Sequence, residues 1–161
     1  MARFLDRLRL VAGQLSVHLW APIPDLLYRL GARGAAKWLL RSAQHLWRAP
    51  HTRAVLLSEL GHIEAREGDI EGGISLLRQA SQLCPELPGY DLWIGCLCER
   101  NDMPGRAAEF YRAALAKGDV LDAKFKEELT SVIALLDQHA SQGTRAPRHY
   151  CPFPTSLPRF S

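Results

Sequence analysis

Residues 54–83, AVLLSELGHIEAREGDIEGGISLLRQASQL, and residues 88–117, PGYDLWIGCLCERNDMPGRAAEFYRAALAK, align on each other at an offset of 34. Gly61 falls on Gly95, Gly68 on Asp102, Gly73 on Ala107, Leu77 on Tyr111 and Ala80 on Ala114, so small or apolar residues match at every pair but the second. A period of 34 is that of a helix–turn–helix repeat. One such unit cannot bury its apolar side alone. It stacks on its neighbours and leaves a groove whose usual occupant is another polypeptide.

The local pattern is helical throughout. Val55, Leu56, Leu60 and Ile63 recur at helical spacing, as do Ile74, Leu77, Ala80 and Leu83, and no alternating run argues for a strand. Gly68-Asp69 can close one helix and cap the next, Pro85 and Pro88 stop the second, Asp102 before Pro104 is a start signal, and Lys117-Gly118 a stop. Helix pairs are expected near residues 54–84 and 88–117.

At these residues the chain resembles the tetratricopeptide repeat (TPR) family. Leu60-Gly61, Gly68-Asp69, Gly73-Ile74, Leu77, Ala80 and Pro85 look like one repeat, and Ile94-Gly95, Ala107, Tyr111 and Ala114-Leu115 like a second, over residues 54–121. Glu64 and Cys98 stand where the family usually has a large aromatic, Asp91 where it has Trp or Leu, and Gly73 where Ala is commoner. The resemblance implies an all-α, TPR-like solenoid that binds protein.

Residues 122–139 hold one more periodic helix, with Phe125, Leu129, Val132, Ile133 and Leu136 on one side, expected to cap the array. Upstream, Gly31, Ala36, Leu40 and Ala43 fit the second helix of a degenerate repeat, and Pro22 and Pro24 allow only a shortened first helix before it. The organisation expected is a basic amphipathic helix plus half-repeat over 1–50, two repeats plus a capping helix over 51–140, and an extended Pro-rich tail over 141–161. At 161 residues and 47% hydrophobic content this is one domain. The four cysteines, Cys84, Cys96, Cys98 and Cys151, lack the paired spacing of a disulfide-rich secreted domain, which favours a reducing compartment.

The net charge of +3 hides an uneven layout. Residues 1–50 carry seven Arg and one Lys against two Asp, a net of +6; residues 51–140 carry nine Lys and Arg against fifteen Asp and Glu, a net of −6. Phe4, Leu8, Val11 and Leu15 form an apolar stripe, with Arg3, Arg7 and Arg9 off it and Trp20 following. This amphipathic helix is too interrupted to span a membrane. It either caps the solenoid or lies against a partner helix or an anionic membrane surface. The acidic repeats argue against nucleic acid.

No nucleophile turn or phosphate-cradling loop is present, so no catalytic residue, cofactor, metal or small-molecule substrate is expected. Cys96 and Cys98 point their sulfurs about 200° apart on a helix, which disfavours a shared metal; each reads as a small buried hydrophobe. His62 and Cys96, 34 apart, are candidates to face one another across the groove.

The resemblance implies a concave face built from first-helix positions: Val55, Ser58, His62, Ala65 and Arg66, then Leu92, Cys96, Glu99 and Arg100, then Lys126, Thr130 and Ile133. Ser58, His62, Leu92 and Cys96 replace the Lys and Asn that clamp chaperone carboxyl termini in part of the family. A mostly apolar lining with Arg66 and Arg100 at the rim suits an apolar-anchored helix or extended segment. The tail sets Tyr150, Phe153, Leu157 and Phe160 among four prolines, an extended segment with apolar side chains to dock along a surface.

The expected function is that of a non-enzymatic adaptor or assembly factor in the cytoplasm, or at the inner face of a membrane, binding one or more proteins through Ser58, His62, Arg66, Leu92, Cys96 and Arg100. The alternative is a dedicated cytosolic chaperone resembling the small TPR chaperones of bacterial secretion systems.

Overall fold

The computed structural model describes residues 22–117 and 121–144, which form seven helices and no strand. Proline sets the first of them. Helix α1, Pro22–Arg29, carries Pro22 and Pro24 in its first turn, where a missing N–H costs nothing, and is closed by Gly31 at φ +83°. It is the shortened helix the two prolines allow. Helix α2, Arg33–Leu46, buries Ala36, Leu40 and Ala43.

The two central pairs follow the 34-residue register. Helix α3, Pro50–Arg66, opens on a proline; Gly68 takes φ +99°, and the Asp69 carboxylate accepts from the Gly72 N–H at 2.9 Å to cap α4, Ile70–Leu83. Helices α5, Gly89–Arg100, and α6, Pro104–Ala116, form the second pair. Here one signal acts differently from expectation. Asp102 does not cap α6, whose N-cap is Met103; it takes φ +57°, the left-handed conformation of its counterpart Gly68. A short polar side chain tolerates that region, so Asp102 ends α5 instead of starting α6. Helix α6 stops at Ala116, and Gly118 lies outside the described residues. Helix α7, Ala123–Gln142, is capped by Asp122, which accepts from the Phe125 N–H at 2.8 Å, and ends at Gly143 with φ +62°.

Each helix packs on the next in chain order, from α1 on α2 to α6 on α7. Within both central pairs the same close approach recurs. A methyl on Gly61 would stand 2.9 Å from the Gly73 carbonyl oxygen and 3.3 Å from Leu77, and one on Gly95 would stand 2.4 Å from the Tyr111 ring. Ala80 and Ala114 are fully buried.

Two apolar clusters result. The smaller joins Ala36, Leu40 and Ala43 of α2 to Leu56, Leu60 and Ile63 of α3. The larger runs from Ala54 and Leu57 of α3 through α4, α5 and α6 to Leu129, Ile133 and Leu136 of α7. Ion pairs cross between helices: Lys37 to Glu64 at 2.6 Å and to Glu67 at 2.8 Å, Arg106 to Glu71, and Arg112 to Asp137.

Candidate functional site

Helices α3 and α5 are buried on more than one side. Helix α3 hides nine of its seventeen residues and α5 nine of its twelve, which is why neither reads as cleanly amphipathic. The expected partner-binding positions fall on this pair. Ser58, His62, Leu92 and Cys96 are all buried, at 3%, 5%, 4% and 1% exposure, while Arg100 is half-buried and Arg66 exposed. Ser58 and His62 lie on α3 and Leu92 and Cys96 on α5, and all four are covered, not open to solvent.

His62 does not pair with Cys96. Its ring meets the Trp93 indole edge-on at a centroid distance of 4.6 Å. Its Nε2 is buried with no hydrogen-bond partner among the described residues. Burial, helped by the positive charges of Arg66 and Arg100, pushes its pKa down to about 3, so the ring is neutral. One turn earlier, Glu59 has its pKa pushed up to about 7 by burial and by the Asp25 carboxylate, against the pull of Arg66. Arg66 is itself 3.7 Å from Asp25 and stacks over the Tyr28 ring, so α1 closes one rim of the face. Glu59 was not among the expected site residues. Its signal was its position, three residues before His62, on the same side of α3.

From α6, the Tyr111 hydroxyl donates to Glu99 of α5 at 2.8 Å and stands 3.3 Å from the Cys96 sulfur. Trp93, Cys96, Glu99 and Arg100 are all engaged in further interactions. Cys98 faces the other way, among charges from Arg106, Glu71 and Arg78, and burial pushes its thiol pKa up to about 11. Cys84 and Cys98 are free thiols. Cys96 is in a disulfide, where the cysteine spacing had led us to expect a reduced, buried hydrophobe. Spacing along the chain carries no information on a pairing made through the tertiary fold.

Asp91 has an explanation too. Buried where the family has an apolar residue, it accepts from Ser81 at 3.0 Å and pairs with Lys117 at 2.5 Å, joining α4, α5 and the end of α6.

At the amino end, Ile23, Leu26, Leu30 and Trp38 are exposed at 41%, 56%, 72% and 68%, beside Arg29, Arg33 and Arg41. Phe4, Leu8, Val11, Leu15 and Trp20, and Tyr150, Phe153 and Phe160 of the tail, lie outside the described residues. Among the described residues no three His, Cys, Asp or Glu side chains converge to hold a metal ion, and no helix is long and apolar enough to cross a membrane. No protein-family model matches the chain, and no curated protein is significantly similar to it.

Proposed function

We propose that this chain is a non-enzymatic adaptor or assembly factor, built as a short TPR-like solenoid, whose α3–α5 face holds a segment of polypeptide. The repeat reading is supported by paired geometry at the 34-residue offset: Gly61 against Leu77 and Gly95 against Tyr111, with Gly68 and Asp102 both in the left-handed region. What carries the functional reading is the α3–α5 face itself. At its edge stand exposed Arg66 and half-buried Arg100, over a lining of Ser58, His62, Leu92 and Cys96 that an apolar-anchored segment reaches only where the face opens. The exposed Leu26, Leu30 and Trp38, on a stretch that also carries Arg29, Arg33 and Arg41, supply a second contact for a protein or a peripheral membrane surface.

Because Leu92 is buried, a charge there would unfold the chain; the informative changes are at exposed positions. Tagged full-length wild type, Arg66→Glu and Trp38→Glu are recovered from the native cell, with quantitative mass spectrometry of co-purifying proteins and circular dichroism to confirm folding. A partner that falls about tenfold or more with Arg66→Glu places binding at the groove rim. A partner set identical in all three folded proteins ends this reading.

A further inference from the structure

Glu59, His62 and Arg66 follow one another at i, i+3 and i+7 and so share one stripe of α3. Arg66 serves a carboxylate that α1 brings to it: its guanidinium is 3.7 Å from Asp25 and 5.6 Å from the centre of the Tyr28 ring, which Arg33 of α2 approaches at the same distance. Asp25 is held on its own helix by Arg29 at 2.8 Å. Glu59, the carboxyl that α3 itself carries on this stripe, is half-buried and makes no hydrogen bond or ion pair among the described residues.

The other charges around α3 are engaged elsewhere. On α2, Lys37 and Arg41 hold Glu64 and Glu67, and His45 is exposed. On α4, Glu71 is paired with Arg106 and Arg78 lies over the Phe110 ring. On α5, Asp91 is paired with Lys117, Glu99 accepts from Tyr111, and Arg100 acts on His62, which is neutral. The charges that reach Glu59 are those of Asp25 and Arg66. Burial first and Asp25 second oppose its ionisation, Arg66 favours it, and the balance leaves the group titrating at about 7.

Helix α1 is also the element freest to respond. It is eight residues long, rests on the α2–α3 cluster through Leu27 and Tyr28, and joins α2 through Gly31, whose φ is +83° and around whose missing side chain no atom lies within 4 Å. Helix α3, by contrast, contributes buried residues to both apolar clusters.

We propose that α1 is a proton-controlled flap on the α3–α5 face: a proton on Glu59 keeps it closed over Arg66, and loss of that proton lifts it about Gly31. This rests on the reading of that face as one that holds polypeptide, and adds how its covered rim comes open. Ionised Glu59 competes with Asp25 for the single cation and repels Asp25 directly. That repulsion acts between α1 and α3, and α3 is fixed in two cores, so α1 yields. The closed form holds the Glu59 proton more tightly than a form from which Asp25 has moved away. Closure is therefore fully favoured below about 4.5, the ordinary carboxyl value, and weakens as the pH rises to about 7. Opening releases Arg66 from Asp25 and Tyr28 and presents it to carboxylates of a partner.

The test is made on the full chain carrying Leu27→Cys, a half-buried position on the inner side of α1. Its alkylation is followed by mass spectrometry on the tryptic peptide of residues 10–29, which holds no native cysteine. Each rate is divided by that of the same chain in denaturant at the same pH, which removes the ionisation of the thiol itself. The ratio is expected to rise at least about tenfold from pH 5.5 to pH 8, as lifting relieves one pKa unit or more, and less than about twofold when Glu59→Gln is added. Cys84, buried in the larger cluster, should keep a constant ratio. An unchanged ratio at position 27, an equal rise with Glu59→Gln, or a parallel rise at Cys84 overturns the flap. A second measurement needs no new thiol: the carboxyl carbon of Glu59, followed by NMR, should titrate at a lower pH in Asp25→Asn than in wild type. An unmoved midpoint ends the coupling of α1 to α3. The Arg66→Glu recovery is read at a single pH and does not depend on these rates, so the flap and the adaptor reading fail separately.

Discussion

The ring of Tyr111 lies so close to Gly95 that a single methyl on the glycine would stand 2.4 Å from a ring carbon. The same ring directs its hydroxyl at Glu99, one turn further along α5. One aromatic residue therefore sets both the separation of α5 and α6 and the placement of a buried carboxylate. Gly95→Ala forces the helices apart and should cost about 1–3 kcal/mol. Urea denaturation measures it, with Gly105→Ala as the control, since a methyl there makes only ordinary contact at 3.8 Å. Equal midpoints for the two variants would mean that α5 and α6 do not approach this closely.

Ala80 and Ala114 are both fully buried at matching places in the two pairs. Ala114→Leu should overpack the α5–α7 region and lower stability by about 1–3 kcal/mol. An unchanged denaturation midpoint would place Ala114 at the surface.

Lys117 is the cation for buried Asp91 and also donates to Ser81 at 2.8 Å. Lys117→Met removes the charge but keeps much of the stem, leaving Asp91 with Ser81 alone. The expected loss is about 3 kcal/mol, because an uncompensated buried carboxylate is costly. A loss below about 0.5 kcal/mol would show that the pair is solvated in solution.

The two perturbed groups of the groove act on stability in opposite directions. The folded chain binds the Glu59 proton more tightly than the unfolded chain, so its contribution falls as the pH rises from about 4.5 to about 7. His62 holds its proton less tightly when folded, so its contribution is present above about 6.5 and is lost as the pH drops toward 3. Glu59→Gln should therefore stabilise the chain by about 3 kcal/mol at pH 8, at 1.36 kcal/mol per pKa unit, and by little at pH 4. Denaturation curves of wild type and variant at the two pH values measure this. A gain of equal size at both would trace the effect to packing rather than to the proton.

The helices were legible because their signals are local. Asp69 caps α4 through its own neighbour, Gly68 turns the chain by a conformation only small residues reach easily, and the 34-residue offset needs no knowledge of contacts. Asp102 was misread because an Asp before a Pro suits a cap and a left-handed helix end alike, and only the backbone distinguishes them. The site was half legible. Ser58, His62, Leu92 and Cys96 share one face only as what the resemblance to tetratricopeptide repeats implies, and their burial depends on residues distant in sequence, to which periodicity is blind. Glu59 was missed because its raised pKa depends on burial and on Asp25, 34 positions earlier and on another helix.

Helix α3 is shared between two cores, and the smaller, among the described residues, joins α2 to α3 through three buried residues from each helix, supplemented by Lys37 and Arg41 reaching Glu64 and Glu67. Part of that seam is made by ion pairs, among them that of exposed Arg41, so added salt should weaken it more than the larger apolar core. The front of the molecule is thus a leaf hung on α3. Its amides should exchange with solvent through an opening of lower free energy than that of α5, and added salt should widen the gap. The exposed Leu26, Leu30 and Trp38 ride on this leaf, so a surface docked on them would move with each opening of the α2–α3 seam.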